Sequence, residues 1–205
     1  MSKFACYPSL AGRVVFVSGG GSGIGASIVE HFAAQGAKVG FVDINEPASK
    51  EIASKTGALF LKCDIRDVKA YQAALGEVAG TLGTITALVN NAAHDERHKL
   101  EDVTPEFWDD RIAVNLRHAY FAIQAVAPGM IQAGGGSIVN FSSVSYHTMT
   151  ANLSVYQAAK AATISFWKGS APARAGAHAP SGPAPASSQQ QPQRKQKPQR
   201  KARAS

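Results

Sequence analysis

As far as Phe141, five short runs of consecutive apolar residues alternate with longer stretches whose apolar positions recur at helical spacing. Arg13 to Ser18 (RVVFVS), Lys38 to Asp43 (KVGFVD), Ala58 to Lys62 (ALFLK), Ile85 to Asn90 (ITALVN) and Ser137 to Phe141 (SIVNF) are rich in β-branched and aromatic residues. They lack the apolar–polar alternation of a half-exposed strand, so each predicts a strand buried on both faces. The intervening spacing predicts helices over Gly23 to Gln35, Pro47 to Thr56, Val68 to Leu82 and Pro105 to Gln132, with a last helix from Ser154 to about Trp167. In the first of these Ile24, Ile28, Phe32 and Ala33 share a face and Gly36 closes the helix. Pro105 suits a first turn. Strands alternating with helices predict an α/β domain with a parallel sheet covered on both sides. Right-handed crossovers make that sheet doubly wound, in the order 3-2-1-4-5.

Composition changes the picture only past Trp167. The whole chain carries a net charge of +7, yet all 14 acidic residues lie before Lys168, so the basicity belongs to the last segment. That segment is built from Ala, Pro, Gly, Ser, Gln, Lys and Arg, without Leu, Ile, Val, Phe or Tyr. Such a composition cannot bury enough apolar area to offset the entropy of ordering it. The expected organisation is therefore one α/β domain over 1–167 and a disordered basic tail over 168–205. Cys6 and Cys63 fit neither a disulfide framework nor a paired metal motif. With no apolar h-region at the start and no run long enough to span a bilayer, the expectation is a cytoplasmic protein with no membrane partner.

Candidate chemistry begins at the end of the first strand. Ser18-Gly-Gly-Gly-Ser-Gly-Ile-Gly25 links it to the first helix. Glycines permit a sharp turn, the approach of a phosphate to bare backbone, and close packing of helix on strand. The helix start beyond offers free N–H groups and the positive end of a dipole to a pyrophosphate. Asp43 closes the second strand, 18 residues past Gly25. A carboxylate there accepts the hydroxyls of an adenosine ribose and repels a 2′-phosphate, which favours NAD over NADP. The competing explanation for Asp43 is an N-cap of the next helix.

Farther along, Tyr156 and Lys160 stand four apart on a helix and share a face. A neighbouring ammonium favours a phenolate over a phenol. Ser143 follows the fifth strand, where a hydroxyl can bond a substrate oxygen. Taken alone, this Tyr–Lys spacing is that of an ordinary solvated helix pair.

SGGGSGIG, Asn90-Asn-Ala92, Asn115, Ser143 and YQAAK, in that order and spacing, resemble the short-chain dehydrogenase/reductase family from about Leu10 to Trp167. The resemblance implies a Rossmann-like fold and hydride transfer between NAD and a small alcohol or carbonyl substrate. It implies Tyr156 as general acid/base and Ser143 orienting the substrate oxygen. Lys160 would favour the phenolate and hold the nicotinamide ribose, and Asn115 would anchor a proton-relay water. For the cofactor it implies Gly19, Gly23, Ile24 and Gly25 along the pyrophosphate, with Ser18 and Ser22 also among the cofactor-binding residues. Asp43 and Ile44 would meet the adenosine ribose, Asp64 and Ile65 the adenine, and Asn91 and Ala92 would floor the site. The stretches NAAHDERHKLEDVT, WDDRIAVNLRH and QAVAPGM are similar to bacterial aldose 1-dehydrogenases that oxidise D-xylose and related pentoses to lactones with NAD. Ser18 stands where the family has threonine and Ala93 where it has glycine.

The larger departure is the C-terminal part. Family members continue the last helix and add a sixth strand, a substrate-covering region and a seventh strand. Here the biased segment takes their place, and a reading-frame change or truncation is the expectation, with weakened activity or none. The family's homo-oligomers pair through two long helices, of which this chain's last is expected to be short. Two other readings compete. QQQPQRKQKPQRKARAS could attract nucleic acid by charge, without specificity. His94-Asp-Glu-Arg-His98 could be taken for a metal pair, but it lacks the HExxH pattern and falls in a loop, so no metal is expected. His94, Arg97, His98, Tyr146 and His147 are better placed as the rim of a sugar pocket.

Overall fold

The computed structural model describes residues 5–148 and 150–169. Five parallel strands, β1 (Val14–Ser18), β2 (Lys38–Asp43), β3 (Leu59–Lys62), β4 (Ala87–Asn90) and β5 (Ser137–Asn140), form one sheet in the order β3-β2-β1-β4-β5. The helices are α1 (Gly23–Ala34), α2 (Glu46–Thr56), α3 (Val68–Leu82), α4 (Pro105–Ile112), α5 (His118–Gln132) and α6 (Ser154–Gly169). The expected order of a doubly wound sheet is therefore the observed one. Residues past Gly169, where a disordered tail was expected, lie outside the described residues.

Two apolar cores follow from the pleat, because successive side chains on a strand point to opposite faces. Phe16, Val42 and Leu88 pack with Tyr71, Leu75 and Val78 of α3 and Ala122, Val126 and Met130 of α5. Val15, Val17, Val39, Phe41 and Val89 face the other way, toward Val29 of α1 and Ile52 of α2. This double cover explains why the strands read as continuous apolar runs. β5 forms one margin of the sheet, and Val139 there is 48% exposed.

Local signals set the helix starts. Asn45, Asp67 and Thr104 each accept a hydrogen bond from a backbone amide of the turn that they open, those of Ala48, Ala70 and Phe107. The N-cap explanation considered for Asp43 is thus corrected: Asn45 caps α2. The single helix expected over Pro105 to Gln132 is broken by a π-helical turn at Ala113–Arg117. One extra residue in that turn rotates Asn115 inward, where it is 2% exposed. On α1, Ile24 leaves the shared apolar face expected for it and stands 66% exposed at the carboxyl edge of the sheet.

Candidate active site

All five strands end on the same side, so the loops that follow them meet above the sheet, where open α/β sheets hold their ligands. The loop after β1 is fastened first. The Gly19 and Gly20 amides donate to the Val42 carbonyl at 2.8 and 3.2 Å, which turns the chain across the end of β2. Gly25 has no room for a side chain: a Cβ there would stand 1.8 Å from the Gly19 carbonyl oxygen. At Gly23 (φ +54°) nothing approaches within 4 Å of an added Cβ, so this glycine faces open space above the turn. Ser22, the N-cap, makes no side-chain capping bond, which leaves the first amides of α1 pointing into the cleft.

Asn91 closes the turn from the other side. Its Nδ2 donates to the carbonyls of Ser18 and Gly19, each at 3.1 Å. Ser18 is fully buried, and its hydroxyl oxygen accepts from the amides of Asn91 (3.1 Å) and Ala92 (3.2 Å). Ser18, expected among the cofactor-binding residues, thus supports the floor of the site from beneath.

A cavity of about 690 Å³ opens between these loops. Gly19, Ser22, Ile24, Gly25, Asp43, Ile44, Asp64, Ile65, Asn91 and Ala92 line it. One Asp43 carboxylate oxygen accepts from the Gly21 amide and the other from the Asn45 amide, both at 2.9 Å. The carboxylate is thus fixed at the cavity wall with lone pairs left for further donors. Asp64 is differently placed. The Arg66 guanidinium grips both its oxygens at 2.6–3.0 Å and holds its carboxyl below the usual carboxylate range. Arg66 also reaches Asp110 at 2.7 Å. Cys63 borders the cavity as well, and burial pushes its thiol up to about 11, so it remains an un-ionised apolar wall.

The other group forms around the exit from β5. Lys160 is 3% exposed; its Nζ donates to the Phe141 carbonyl at 2.9 Å and lies 5.6 Å from the centre of the Tyr156 ring. Burial pulls its ammonium down to about 8. The Ser142 hydroxyl donates to the Lys160 carbonyl at 2.8 Å, and Gln157 Nε2 donates to Ser145 O at the same distance. These bonds strap α6 to the segment carrying Ser143, whose Oγ donates to Ser145 Oγ at 2.9 Å. α6 also packs on the π-helical turn. There Asn115 Oδ1 accepts from the His94 amide, and Nδ2 donates to the His94 and Arg111 carbonyls, all at 2.9 Å. Gly23, Asn115, Ser143, Tyr156 and Lys160 do not line the 690 Å³ cavity; the last four stand along the β4–β5 side of the same cleft.

Two residues that shape the site carry no motif. Arg111, 9% exposed, sends its guanidinium to His94 Nδ1, Glu96 and Asp110 and so fixes the loop after β4. His118, 2% exposed, lies under Ala92, and burial together with the Lys160 cation pushes its imidazole down to about 3. An arginine and a histidine on the inward face of an amphipathic helix were the available signal. Of the expected rim, His94 is tied to Arg111 while His98 Nε2 meets Ser154 Oγ at 3.1 Å, so the two rings serve separate partners.

The sequence matches the family model described as short chain dehydrogenase over residues 13–176. It is 49% identical over 168 residues to a probable galactose dehydrogenase of Rhizobium meliloti (strain 1021), covering 79% of this chain and 66% of that protein. It is 46% identical over 162 residues to a D-xylose 1-dehydrogenase of Caulobacter vibrioides, covering 77% and 64%. Among solved structures, the ligand-free aldohexose dehydrogenase of Thermoplasma acidophilum superposes with a TM-score of 0.75 at 32% identity, over 82% of this chain and 64% of that one. The chain thus spans just under two thirds of the length of these relatives. The glycine turn, the buried Asn115 and the Tyr156–Lys160 pair occur on one parallel sheet of matching order, and the chain belongs to the short-chain dehydrogenase family.

Proposed function

We propose that this chain is built to move a hydride between NAD and the anomeric carbon of an aldose, giving the lactone. The observation that carries the reading is the convergence of two separately fastened groups on one end of the sheet. One is the glycine turn with Asp43; the other is Ser143, Tyr156 and Lys160. The relatives named for galactose and D-xylose supply the substrate class. The cavity and the glycine turn beside it fit a dinucleotide: open space at Gly23, a first turn without a side-chain cap, and a fixed carboxylate at Asp43.

A bound nicotinamide supplies the hydride acceptor. The chain's own residues do the rest. The first turn of α1 holds the pyrophosphate, and Asp43 accepts the adenosine ribose hydroxyls and disfavours a 2′-phosphate. The Ser143 hydroxyl donates to the substrate oxygen. Tyr156 takes the proton of the C1 hydroxyl as the C–H bond electrons leave as hydride, and the resulting C=O is the lactone carbonyl. The Lys160 cation stabilises the phenolate in that step. Asp64, clasped by Arg66, meets the adenine edge beside Ile65.

A second reading, nucleotide binding with little turnover, rests on a cavity that Ser143, Tyr156 and Lys160 do not line. Titrating NAD against protein fluorescence, then following NADH formation over a panel of pentoses and hexoses, separates them. Binding with aldose-dependent NADH supports the first reading, and binding alone supports the second. Failure of both NAD and NADP to bind overturns both.

A further inference from the structure

Three buried side-chain atoms lack a hydrogen-bond partner among the described residues: Tyr71 Oη, Asn90 Oδ1 and His118 Nδ1. They come from three elements, α3, β4 and α5, and all three lie on one side of the sheet. Asn90 is in register with Ser18 on β1 and Asn140 on β5. The pleat puts all three on the face of Phe16 and Leu88, the side covered by α3 and α5. Tyr71 and His118 come down onto that row with ring centroids 6.1 Å apart, and the Tyr71 hydroxyl is turned toward Ser18. Their side chains leave no route to solvent: Tyr71 is 0%, His118 2% and Asn90 4% exposed.

An unmade hydrogen bond in such a place shifts the unfolding equilibrium by about fivefold to a hundredfold per group. Three in one pocket would be a large share of a small domain's margin. Their chemistry is complementary to one small species. The phenol is a donor. Asn90 Nδ2 already donates to Asn140 Oδ1 at 2.8 Å, so its Oδ1 remains as an acceptor. Burial and the nearby Lys160 cation favour a neutral ring, and the ring's hydrogen bond to the Ala92 backbone, with Nδ1 left unpartnered, puts its proton on Nε2. Nδ1 is then a second acceptor. One donor and two acceptors are the complement of a water molecule. An anion could not donate to Asn90 or His118, and an ammonium-type cation could not accept from Tyr71.

We propose that one internal water is bound between Tyr71 Oη, Asn90 Oδ1 and His118 Nδ1, accepting from the phenol and donating to the amide oxygen and the imidazole. Buried waters of proteins make about three such bonds. The water ties α3 and α5 to the end of β4, one residue before the Asn91–Ala92 floor. His118 is thereby a positioning residue, holding the Ala92 backbone through Nε2 while the water fixes its tautomer.

Nuclear magnetic resonance on the full chain labelled with 15N-histidine tests this. The expected spectrum has His118 neutral and protonated on Nε2, with a cross-peak from a long-lived water to its ring protons. Tyr71→Phe should abolish that cross-peak and move the Nδ1 resonance, although phenol and imidazole do not bond directly. An Nδ1-protonated ring, or no water cross-peak in the parent chain, overturns the proposal. A denaturation cycle gives a second reading. Tyr71→Phe and His118→Phe should each raise the unfolding constant about tenfold. Sharing one water, they should together raise it clearly less than the product of the two, whereas multiplicative effects overturn the shared site.

Discussion

Lys160 Nζ donates to the main-chain carbonyl of Phe141 at 2.9 Å, so the cation one turn from Tyr156 is anchored to the exit of β5 and not to a carboxylate. Its charge is uncompensated by any acid among the described residues within bonding reach, and burial alone pulls it down to about 8. Between that value and the ordinary 10.5 the unfolded chain holds a proton that the folded chain has released. Stability contributed by this group therefore rises with pH through that window, and the cost of keeping the cation buried is in full force below about pH 8. The difference in unfolding free energy between the parent chain and Lys160→Met should shift toward the parent by about 3 kcal/mol over that range. Cys63, raised to about 11, acts in the opposite direction at the alkaline end, but it is common to both proteins and cancels in the difference. A flat difference in urea titrations from pH 7 to 10.5 would contradict the burial of the ammonium.

Gly25 and Gly23 make a paired test of the turn. A methyl at Gly25 would stand 1.8 Å from the Gly19 carbonyl oxygen and 2.7 Å from Asn91 Nδ2, so the two ends of the loop must separate. Gly25→Ala should destabilise the fold by several kcal/mol, in the range of overpacked cores at ~1–3 kcal/mol or beyond, and abolish nucleotide binding. Gly23→Ala meets no atom and has only its φ of +54° to resist it, worth about 1–2 kcal/mol. Thermal melts should therefore rank the two far apart, with Gly23→Ala remaining folded.

Asp43 fixes the next expectation. Both carboxylate oxygens are held by amides, so the negative charge cannot swing aside for a second phosphate. Asp43→Ser should raise the NADP-to-NAD affinity ratio by tenfold or more, since it removes the repulsion while keeping a hydroxyl for the ribose. Fluorescence titration with both nucleotides measures the ratio, and an unchanged ratio removes Asp43 from cofactor selection.

Much of this arrangement was legible because one physical rule governs it. Strands covered on both faces must be apolar throughout, and Val14–Ser18 and Lys38–Asp43 advertise it. The start of α2 was less legible, since Asp43 and Asn45 both suit a cap and only geometry shows Asn45 accepting from Ala48. The π-helical turn at Ala113–Arg117 was hidden because one inserted residue in 28 barely disturbs a 3.6-residue repeat, yet it is what turns Asn115 inward. Ile24 misled for a related reason. An apolar residue in the first turn of α1 fits the core-facing stripe by spacing, but the glycine turn carries that end of the helix past the edge of the sheet. Arg111 and His118 carried only the weak signal of a polar residue on an inward helix face, because their roles depend on loops brought to them from elsewhere in the chain. Arg111 is met by His94 and Glu96 across 15–17 positions.

That same Arg111 supports a prediction about the loop after β4. Its partners Glu96 and His94 have side chains 47% and 54% exposed, so removing the guanidinium returns them to water and leaves no buried charge behind. The stability cost of Arg111→Met should then be modest, near the ~1 kcal/mol typical of a point substitution, and not the ~3–5 kcal/mol of a broken buried pair. Residues 94–98 should nevertheless loosen, because what remains are the Asn115 bonds to the His94 backbone, the Arg97 bond to the Ala151 carbonyl, and the His98 contacts with α6, Asn152 and Phe107. Amide hydrogen exchange should quicken across this loop while α3 and β1 remain protected.

His118 gives a pH dependence of the same sign as Lys160, in a lower window. Its imidazole, pushed down to about 3 by burial and the nearby cation, refuses a proton that the unfolded chain accepts below 6.5. The stability it confers is complete above pH 6.5 and is lost as pH falls from there toward 3, at up to ~1.4 kcal/mol per pH unit. Carboxylates held low, such as Asp64 beside Arg66, add to acid lability but act only near and below their own ordinary value of 3.8. The interval between pH 6.5 and about 4.5 therefore isolates the histidine. In that interval the parent chain should lose stability steadily, whereas His118→Gln, neutral at every pH, should hold level. Equal slopes in the two proteins would mean that His118 takes up its proton without leaving the fold, and would open the ring to bulk solvent.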